Sequence, residues 1–191
     1  MAGKSRALLL FFLMLTLPLA GCITTESSAP EILDEGNDMM SNSCSLPSQS
    51  ITQSTMSIMV NGQERDFRLS VPSSDAGTKL ALIIAFHGGG GAGEDFQQQS
   101  EFDQLGEQEK FIMAYAIGED DRTAAEGEWY LNTAATSRDD NDFTEAIVDN
   151  LSSQYCIDQS RLYGIGYSLG SMFTYEIACQ LNHRFAAVAS F

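Results

Sequence analysis

The chain has 191 residues, of which 43% are hydrophobic, and its formal net charge is −16 at pH 7. This length allows one domain of ordinary size, and the hydrophobic share is sufficient for a core. A strongly acidic surface repels nucleic acid and anionic lipid, so the composition argues against both as partners and is typical of a highly soluble protein.

The N-terminal segment has the pattern of an export signal. Lys4 and Arg6 precede an apolar run at 7–17 that is short for a membrane span. The run leads to Leu-Ala-Gly-Cys, which ends at Cys22 and resembles a bacterial lipobox, in which the cysteine is lipidated. We therefore expect residues 1–21 to be a lipoprotein signal peptide and Cys22 to tether an exported protein to the cell envelope. A plain secretory signal with a nearby cleavage site is the alternative.

Residues 22–55 are predicted to be a flexible acidic tether. They are rich in Ser, Thr, Asp, Glu and Asn, and they show neither helical nor strand periodicity. A segment of this composition buries too little apolar surface to fold by itself. As a flexible coil it would hold the following domain roughly 30 Å from its anchor.

The folded domain is predicted to span residues 56–191 and to begin with a hairpin. Alternating runs at 56–60 and 65–71 flank Asn61 and Gly62, and Asn-Gly between such runs is a strong hairpin signal.

Buried strands and helices are predicted to alternate after the hairpin. Continuous apolar runs at 79–86, 111–117, 161–165 and 185–191 are typical of strands covered on both faces. Helical patterns cover 94–109 and 171–179, and a capping box at 142–145 begins another helix. This order predicts an α/β domain whose mostly parallel sheet is flanked by helices and preceded by the antiparallel hairpin.

Residues 166–170 read Gly-Tyr-Ser-Leu-Gly, between a predicted strand and a predicted helix. This layout is that of a nucleophile elbow, although the motif alone is weakly specific. A serine hydroxyl is a poor nucleophile unless it is exposed beside a base and an oxyanion pocket, and a sharp turn exposes it. The motif predicts Ser168 as a nucleophile.

A glycine run at 88–91 follows His87 at the end of the first buried strand. Backbone N–H groups of such a loop can stabilise the oxyanion of a tetrahedral intermediate, together with the N–H of Leu169 after the nucleophile. A flexible turn or a phosphate-binding loop is the alternative, but a phosphate loop would end in Gly-Lys-Ser/Thr, which is missing here. The two motifs together favour a serine hydrolase of the α/β-hydrolase fold.

From about residue 60 to residue 191, the chain resembles the polyhydroxybutyrate depolymerase and feruloyl esterase group of secreted α/β-hydrolases. The matching segments are Phe-His-Gly-Gly-Gly at 86–90, Glu-Asp-Phe at 94–96, Phe-Ile-Met-Ala-Tyr at 111–115, Asp-Asp at 139–140 with Phe143, Cys-Ile-Asp at 156–158, Arg-Leu-Tyr at 161–163, Gly-Tyr-Ser-Leu-Gly-Ser-Met at 166–172 and Arg-Phe-Ala-Ala-Val at 184–188. Two positions depart from the family pattern: Ala116 stands where a proline is usual, and Ser171 where a second glycine is often found.

The resemblance implies roles for individual residues. Ser168 would be the nucleophile, and the N–H groups of Leu169 and Gly89 would form the oxyanion hole, with Gly88 as the alternative loop donor. Trp129 would either line the substrate mouth or be a structural aromatic residue. No cofactor or metal is implied.

Two further acids could be mistaken for the catalytic acid. Asp139 and Asp140 stand just before a predicted helix start, where acidic residues favour the helix macrodipole, so we expect a structural use for both.

Neither histidine of the chain is predicted to be the catalytic base. His87 belongs to the glycine loop, and His183 follows the helix after the elbow, roughly 20 Å from the Ser168 hydroxyl at 1.5 Å per residue. In Gly-x-Ser-x-Gly hydrolases the acid and the histidine follow the serine in chain order. We therefore expect both beyond Phe191, with the sequence being the N-terminal part of a catalytic domain.

The cysteines are consistent with an exported protein. Cys156 precedes the elbow strand and Cys179 ends the elbow helix, so both should lie roughly 17 Å from the elbow, at the opposite end of the sheet. This predicts a Cys156–Cys179 disulfide, with two buried thiols as the alternative. Cys44 then has no partner, and the spacings are not those of a zinc site.

These observations predict an exported serine esterase that cleaves carboxylic esters, of polyhydroxyalkanoate or feruloyl-polysaccharide type, through an acyl-enzyme on Ser168. Its expected partners are an ester substrate and, through the lipid anchor alone, a membrane. One alternative is a non-catalytic lipoprotein that binds a ligand with a hydrolase-like domain. Another is a serine peptidase, because the elbow does not distinguish an ester from an amide.

Overall fold

A computed structural model of the chain describes residues 44–119, 129–131 and 138–191. The described residues belong to a unit that spans Met40–Phe191. The predicted signal peptide, the lipidation site at Cys22 and residues 22–43 of the predicted tether lie outside the described residues.

The domain begins with the predicted antiparallel hairpin. Strands β1 (Thr52–Val60) and β2 (Gln63–Val71) pair along their whole length, and Val60 faces Gln63 across the turn. Asn61 and Gly62 both have positive φ, 51° and 85°, as the two central residues of a type I′ turn require. This turn twists in the same sense as the strands it joins, which explains why Asn-Gly was a reliable signal.

In the part of the chain that the structure describes, six strands form one mixed sheet in the order β1-β2-β4-β3-β5-β6. The four strands after the hairpin are β3 (Leu80–Phe86), β4 (Phe111–Ala116), β5 (Ile157–Gly166) and β6 (Ala187–Ser190). They are parallel to one another, and β2 joins them by antiparallel pairing with β4. The predicted α/β class, with a mostly parallel sheet behind a hairpin, is confirmed.

Within the described residues, four helices connect the strands: α1 (Gly93–Ser100), α2 (Phe102–Glu109), α3 (Asp139–Gln154) and α4 (Leu169–Gln180). The single helical segment predicted at 94–109 is divided, because Glu101 has a left-handed backbone with φ of 57°. Helix α3 begins at Asp139, three residues before the predicted capping box, so the helix start at 142 was wrong.

The helices cover both faces of the sheet. The larger core packs α3 and α4 against one face and includes the fully buried Phe67, Ile84, Phe143 and Phe173. The smaller core, around Tyr115 and Met113, lies under α1 and α2 on the other face. Because both faces are covered, β3 and β4 consist almost entirely of apolar residues without alternation.

The described end of the predicted tether, residues 44–55, belongs to the folded domain. Thr52 to Thr55 pair with β2. Gln49 and Ser74 exchange two backbone hydrogen bonds of 2.9 and 3.1 Å, and the N–H of Gly77 donates to the carbonyl of Leu46 over 3.0 Å. The composition of this segment did not predict its structure, because these polar residues are held by backbone hydrogen bonds to segments elsewhere in the chain.

The predicted Cys156–Cys179 disulfide is wrong. Cys156 is bonded to Cys44, with 5.7 Å between the two Cα atoms, and Cys179 is also disulfide-bonded. Cys156 stands at the junction of α3 and β5, where its carbonyl accepts a hydrogen bond of 2.8 Å from the N–H of Leu80. The segment that begins at Cys44 passes this junction. Cys44, which the sequence assigned to the tether, therefore lies close enough to bond with Cys156 in place of Cys179.

No helix within residues 44–119, 129–131 and 138–191 is long and apolar enough to cross a membrane.

Candidate active site

Ser168 lies in a strained turn between β5 and α4. Its backbone has φ of 52° and ψ of −115°, which a residue with a side chain adopts only when the surroundings impose it. The N–H of Ser168 donates to the carbonyl of Phe191 over 2.9 Å, and its own carbonyl accepts from the N–H of Ser171 over 3.0 Å. The turn is therefore fixed on both sides, as a nucleophile elbow requires.

The two glycines of the motif are required by close backbone contacts. A Cβ on Gly166 would overlap the carbonyl of Gly170, within the elbow itself. A Cβ on Gly170 would overlap the carbonyl of Phe86, at the end of β3. The first turn of α4 thus packs directly against the strand that leads into the glycine loop, and this contact brings the two motifs together.

The glycine loop lies against Ser168. A Cβ on Gly88 would be 3.3 Å from the Cβ of Ser168, and a Cβ on Gly89 would be 3.3 Å from Cδ2 of Leu169. Within the described part of the chain, the N–H groups of Gly88, Gly89 and Leu169 donate no hydrogen bond. Unused backbone donors beside a serine are the components from which an oxyanion hole is built.

His87 is a structural residue of this loop. Its ring is buried, Nδ1 lies 2.8 Å from the carbonyl of Gly88, and Nε2 accepts a hydrogen bond of 3.0 Å from the N–H of Gly118. An acceptor at Nε2 and a donor at Nδ1 are the roles of a neutral imidazole. Both ring nitrogens therefore hold the loop in place and leave none to deprotonate Ser168.

Trp129 is part of the core below the loop. Its side chain is 4% exposed, stacks on Phe173 at 5.3 Å between ring centroids, and donates from Nε1 to the carbonyl of His87 over 2.8 Å. This placement supports the structural alternative for Trp129 over a position at the substrate mouth. Through its indole N–H, the residue fixes the carbonyl that immediately precedes the candidate oxyanion donors.

A buried ion pair is hydrogen-bonded to the segment that carries Trp129. Arg65 donates to Asp140 over 2.9 Å, and the other carboxylate oxygen of Asp140 accepts from the N–H of Tyr130 over 2.6 Å. The guanidinium also lies 4.2 Å from the centre of the Phe143 ring. Asp140 is therefore structural, as expected, and it anchors the segment that carries Trp129.

The two remaining polar residues of interest lie on the surface. Asp139 accepts a hydrogen bond of 3.1 Å from the amide of Asn61 in the hairpin turn. The ring of His183 is exposed and its Nε2 lies 3.6 Å from the carboxylate of Glu145 on α3. Its role here is that of a surface residue after a helix.

Sequence reasoning missed Arg65 and the cavity beside the glycine loop. Arg65 shares the inward parity of Phe67 and Leu69 along β2, so strand alternation could have identified a buried charge. The cavity, of about 200 Å³, is lined by the glycine loop, by residues of α1 and by Tyr167, which are distant in sequence and which no local motif connects.

Comparison with known proteins finds similarity to proteins that are named as esterases. No protein-family model matches the chain. The chain is 30% identical over 153 residues to a protein of Nocardia uniformis subsp. tsuyamanensis that carries an esterase name, covering 75% of this chain and 42% of that protein. It is 28% identical over 123 residues to feruloyl esterase B of Piromyces equi, covering 62% of this chain and 22% of that protein.

Among solved structures, acetyl xylan esterase from Aspergillus awamori superposes with a TM-score of 0.61 at 23% identity, covering 72% of this chain and 51% of that chain. The chain spans less than half the length of the curated relatives it matches. By its fold the chain is an α/β-hydrolase, and in sequence it is similar to proteins that carry esterase names.

Proposed function

We propose that this chain carries the nucleophile and the oxyanion hole of a carboxylic ester hydrolase. The observation that supports this proposal is the meeting of three unused N–H groups, on Gly88, Gly89 and Leu169, beside the strained Ser168. Such donors act on an oxyanion, and an oxyanion next to a serine arises when the hydroxyl attacks a carbonyl carbon.

The reaction proceeds in two halves. The Oγ of Ser168 attacks the ester carbonyl while a base takes its proton, and the N–H groups of Leu169 and Gly89 stabilise the tetrahedral oxyanion. The alcohol leaves with the proton, and water then hydrolyses the acyl-enzyme by the same steps. We assign the base to a histidine that follows Ser168 in chain order, and not to His87 or His183, because these two are held elsewhere.

The names of the relatives suggest which class of ester the protein cleaves. Feruloyl esterase B and acetyl xylan esterase are similar to this chain in sequence and in fold, respectively. We therefore place the substrate among feruloyl or acetyl esters of polysaccharides, with polyhydroxyalkanoates as the second candidate. An insoluble or polymeric substrate outside the cell is consistent with the export and lipid anchoring that the lipobox at Cys22 predicts.

The test uses the full-length protein and a soluble acetyl ester. Ser168→Ala should lower kcat by more than about a thousandfold, since a triad serine acts as a unit with its base. Ser153→Ala is the matched control, because Ser153 is an exposed serine of α3. Equal activities of the Ser168 variant and the wild-type protein would refute the assignment.

The same protein separates the alternatives. A peptidase would cleave the amide analogue of the ester at a comparable rate, whereas an esterase would strongly prefer the ester. A non-catalytic binding protein would cleave neither, and its Ser168 would not react with a phosphonate that labels activated serines.

A further inference from the structure

Two side chains bind carbonyl groups at the start of the glycine loop, and each carbonyl belongs to a different peptide group. The indole of Trp129 binds the carbonyl of His87, and the imidazole of His87 binds the carbonyl of Gly88. We propose that His87 is a positioning residue that aims the N–H of Gly89 at the oxyanion. The inference rests on the proposed function and adds the residue that orients one of its donors.

The peptide group between Gly88 and Gly89 connects the imidazole of His87 to this N–H. The carbonyl of Gly88 and the N–H of Gly89 belong to one planar trans peptide group, in which they point in opposite directions. No cis peptide bond occurs in the described residues. A donor that holds the carbonyl on one side therefore directs the N–H to the other side, away from the imidazole.

The carbonyl of Gly88 accepts two hydrogen bonds. Nδ1 of His87 donates to it over 2.8 Å, and the N–H of Gly91 donates over 3.0 Å across a β-turn. Gly90 has φ of 67°, as the third residue of a type II turn requires. A Cβ on Gly91 would be 2.9 Å from the same carbonyl oxygen, so a glycine at this position leaves room for both donors. Together the two donors fix the plane of the peptide group.

The tautomer of His87 is set from the other side of its ring. The N–H of Gly118, just after β4, donates to Nε2 over 3.0 Å, so Nε2 is an acceptor and carries no proton. The one proton of the neutral imidazole is therefore on Nδ1, where it is donated to Gly88. His87 is only 2% exposed, so solvent does not compete for either bond.

Gly89 lies beside the other candidate donor. A Cβ on Gly89 would be 3.3 Å from Cδ2 and 3.6 Å from Cβ of Leu169, and within the described residues the N–H of Gly89 donates no hydrogen bond. Trp129 holds the preceding peptide group, whose N–H belongs to Gly88. The two candidate loop donors are thus held by different side chains, and the one that depends on His87 is Gly89.

The first experiment measures kcat and KM of the full-length protein with a soluble acetyl ester. His87→Asn keeps an N–H donor near the position of Nδ1, whereas His87→Gln keeps an acceptor near the position of Nε2 and supplies no donor at Nδ1. His87→Gln should lower kcat by about 10-fold to 100-fold and change KM less than about twofold, because an oxyanion donor acts in the transition state. His87→Asn should keep kcat within about fivefold of the wild-type value.

His183→Gln is the matched control, since His183 is the other histidine of the chain and 61% of its side chain is exposed. It should leave kcat unchanged. Equal losses of kcat in His87→Asn and His87→Gln, or no loss in either, would overturn the positioning role. Absence of hydrolysis by the wild-type protein would instead refute the esterase function.

A second measurement does not depend on catalysis. The N–H residual dipolar coupling of Gly89, measured by NMR, reports the direction of that bond in the folded protein. It should match the wild-type value in His87→Asn and differ in His87→Gln, while the couplings of β3 and β4 stay the same in both variants. This pattern in a protein that hydrolyses no ester would refute the esterase function and keep the orientation of Gly89 by His87. An unchanged Gly89 coupling in His87→Gln would overturn the proposal, whatever the activity.

A third measurement needs no variant. The imidazole nitrogen shifts of His87 in the wild-type protein should show a neutral ring with its proton on Nδ1. A proton on Nε2 would contradict the bond to Gly88 and overturn the proposal.

Discussion

Arg65 of β2 and Asp140 of α3 form an ion pair of 2.9 Å, with only 4% and 0% of the two side chains exposed. The pair joins the N-terminal hairpin to the helix on the other side of the core. Because Asp140 also binds the N–H of Tyr130, it positions the residue next to Trp129, whose indole in turn fixes the carbonyl of His87. A structural ion pair is thus connected to the candidate oxyanion loop through two hydrogen bonds.

We predict that Asp140→Asn strongly destabilises the protein. The substitution keeps the shape of the side chain but leaves the buried guanidinium with only its longer ion pair of 3.7 Å to Glu119, and breaking a buried pair in this way costs about 3–5 kcal/mol. Asp142→Asn is the control, since its ion pair with Arg138 is 3.6 Å long and partly exposed. It should cost about 1 kcal/mol or less in denaturant unfolding. Similar losses in the two variants would contradict the structural role of the buried pair.

Gly170→Ala should disrupt the packing of the first turn of α4 against the end of β3. The added Cβ overlaps the backbone of Phe86, which cannot move without disturbing the centre of the sheet, so we expect a loss of more than about 3 kcal/mol. Gly62→Ala provides the comparison, because Gly62 has φ of 85° but no atom within 4 Å of the added Cβ. That variant should lose about 1–2 kcal/mol from backbone strain alone. The expected order in thermal unfolding is therefore wild type, Gly62→Ala, Gly170→Ala, and the reverse order of the two variants would disprove the packing argument.

Trp129→Phe should lower kcat more than it raises KM. Phenylalanine can keep the stack on Phe173, but it leaves the carbonyl of His87 without its indole donor, at a cost of about 1–3 kcal/mol in stability. The glycine loop that follows His87 then holds its N–H groups less well for the transition state. Tyr175→Phe serves as the control, because Tyr175 is 66% exposed. A rise in KM alone would instead indicate that Trp129 contacts the substrate.

The Cys44–Cys156 disulfide can be checked directly. Proteolysis without reduction, followed by mass spectrometry, should yield a cross-linked peptide pair that contains these two cysteines, and a Cys156–Cys179 pair would contradict the structure. Replacing both Cys44 and Cys156 by serine should cost about 4–5 kcal/mol, because the bond closes a loop across a sequence separation of 112 residues in the unfolded chain.

Glu107 should make stability depend on pH. Hydrogen bonds from Lys110 and from the hydroxyl and N–H of Ser73 lower the pKa of Glu107 from its usual value of 4.5 to about 2. A lowered folded-state pKa means that the stabilisation is present above about pH 4.5 and is lost as the pH falls towards 2. Glu107→Gln should therefore be less stable than the wild-type protein at pH 6, and the two should converge between pH 4.5 and pH 2. A constant difference over that range would contradict the assignment.

Much of the fold could be predicted because its signals are local. Asn61 and Gly62 adopt positive φ as single residues, and the apolar runs of β3 and β4 reflect burial on both faces wherever the strands lie in the sheet. The strained turn at Ser168 could be predicted for the same reason, since it is a property of five consecutive residues. The break at Glu101 had no such signal, because nothing in the local pattern distinguishes two short helices from one.

Contacts between distant segments were decided by tertiary structure. The polar residues 44–55 have no local preference for a strand, and only pairing with β2 and with the segment around Ser74 places them in the domain. The same contacts bring Cys44 to Cys156, which a count of residues along β5 and α4 could not reveal.

The sequence by itself determined the class of the fold, the strained turn at Ser168 and the type of loop that faces it, because each depends on residues within one turn or one strand. Only the tertiary structure decided what surrounds them. His87 and Trp129 are bound to the core, and Arg65 and Asp140 are paired. Side-chain burial and hydrogen bonding depend on neighbours that are far apart in the chain, and these neighbours meet only when the sheet and its helices are assembled.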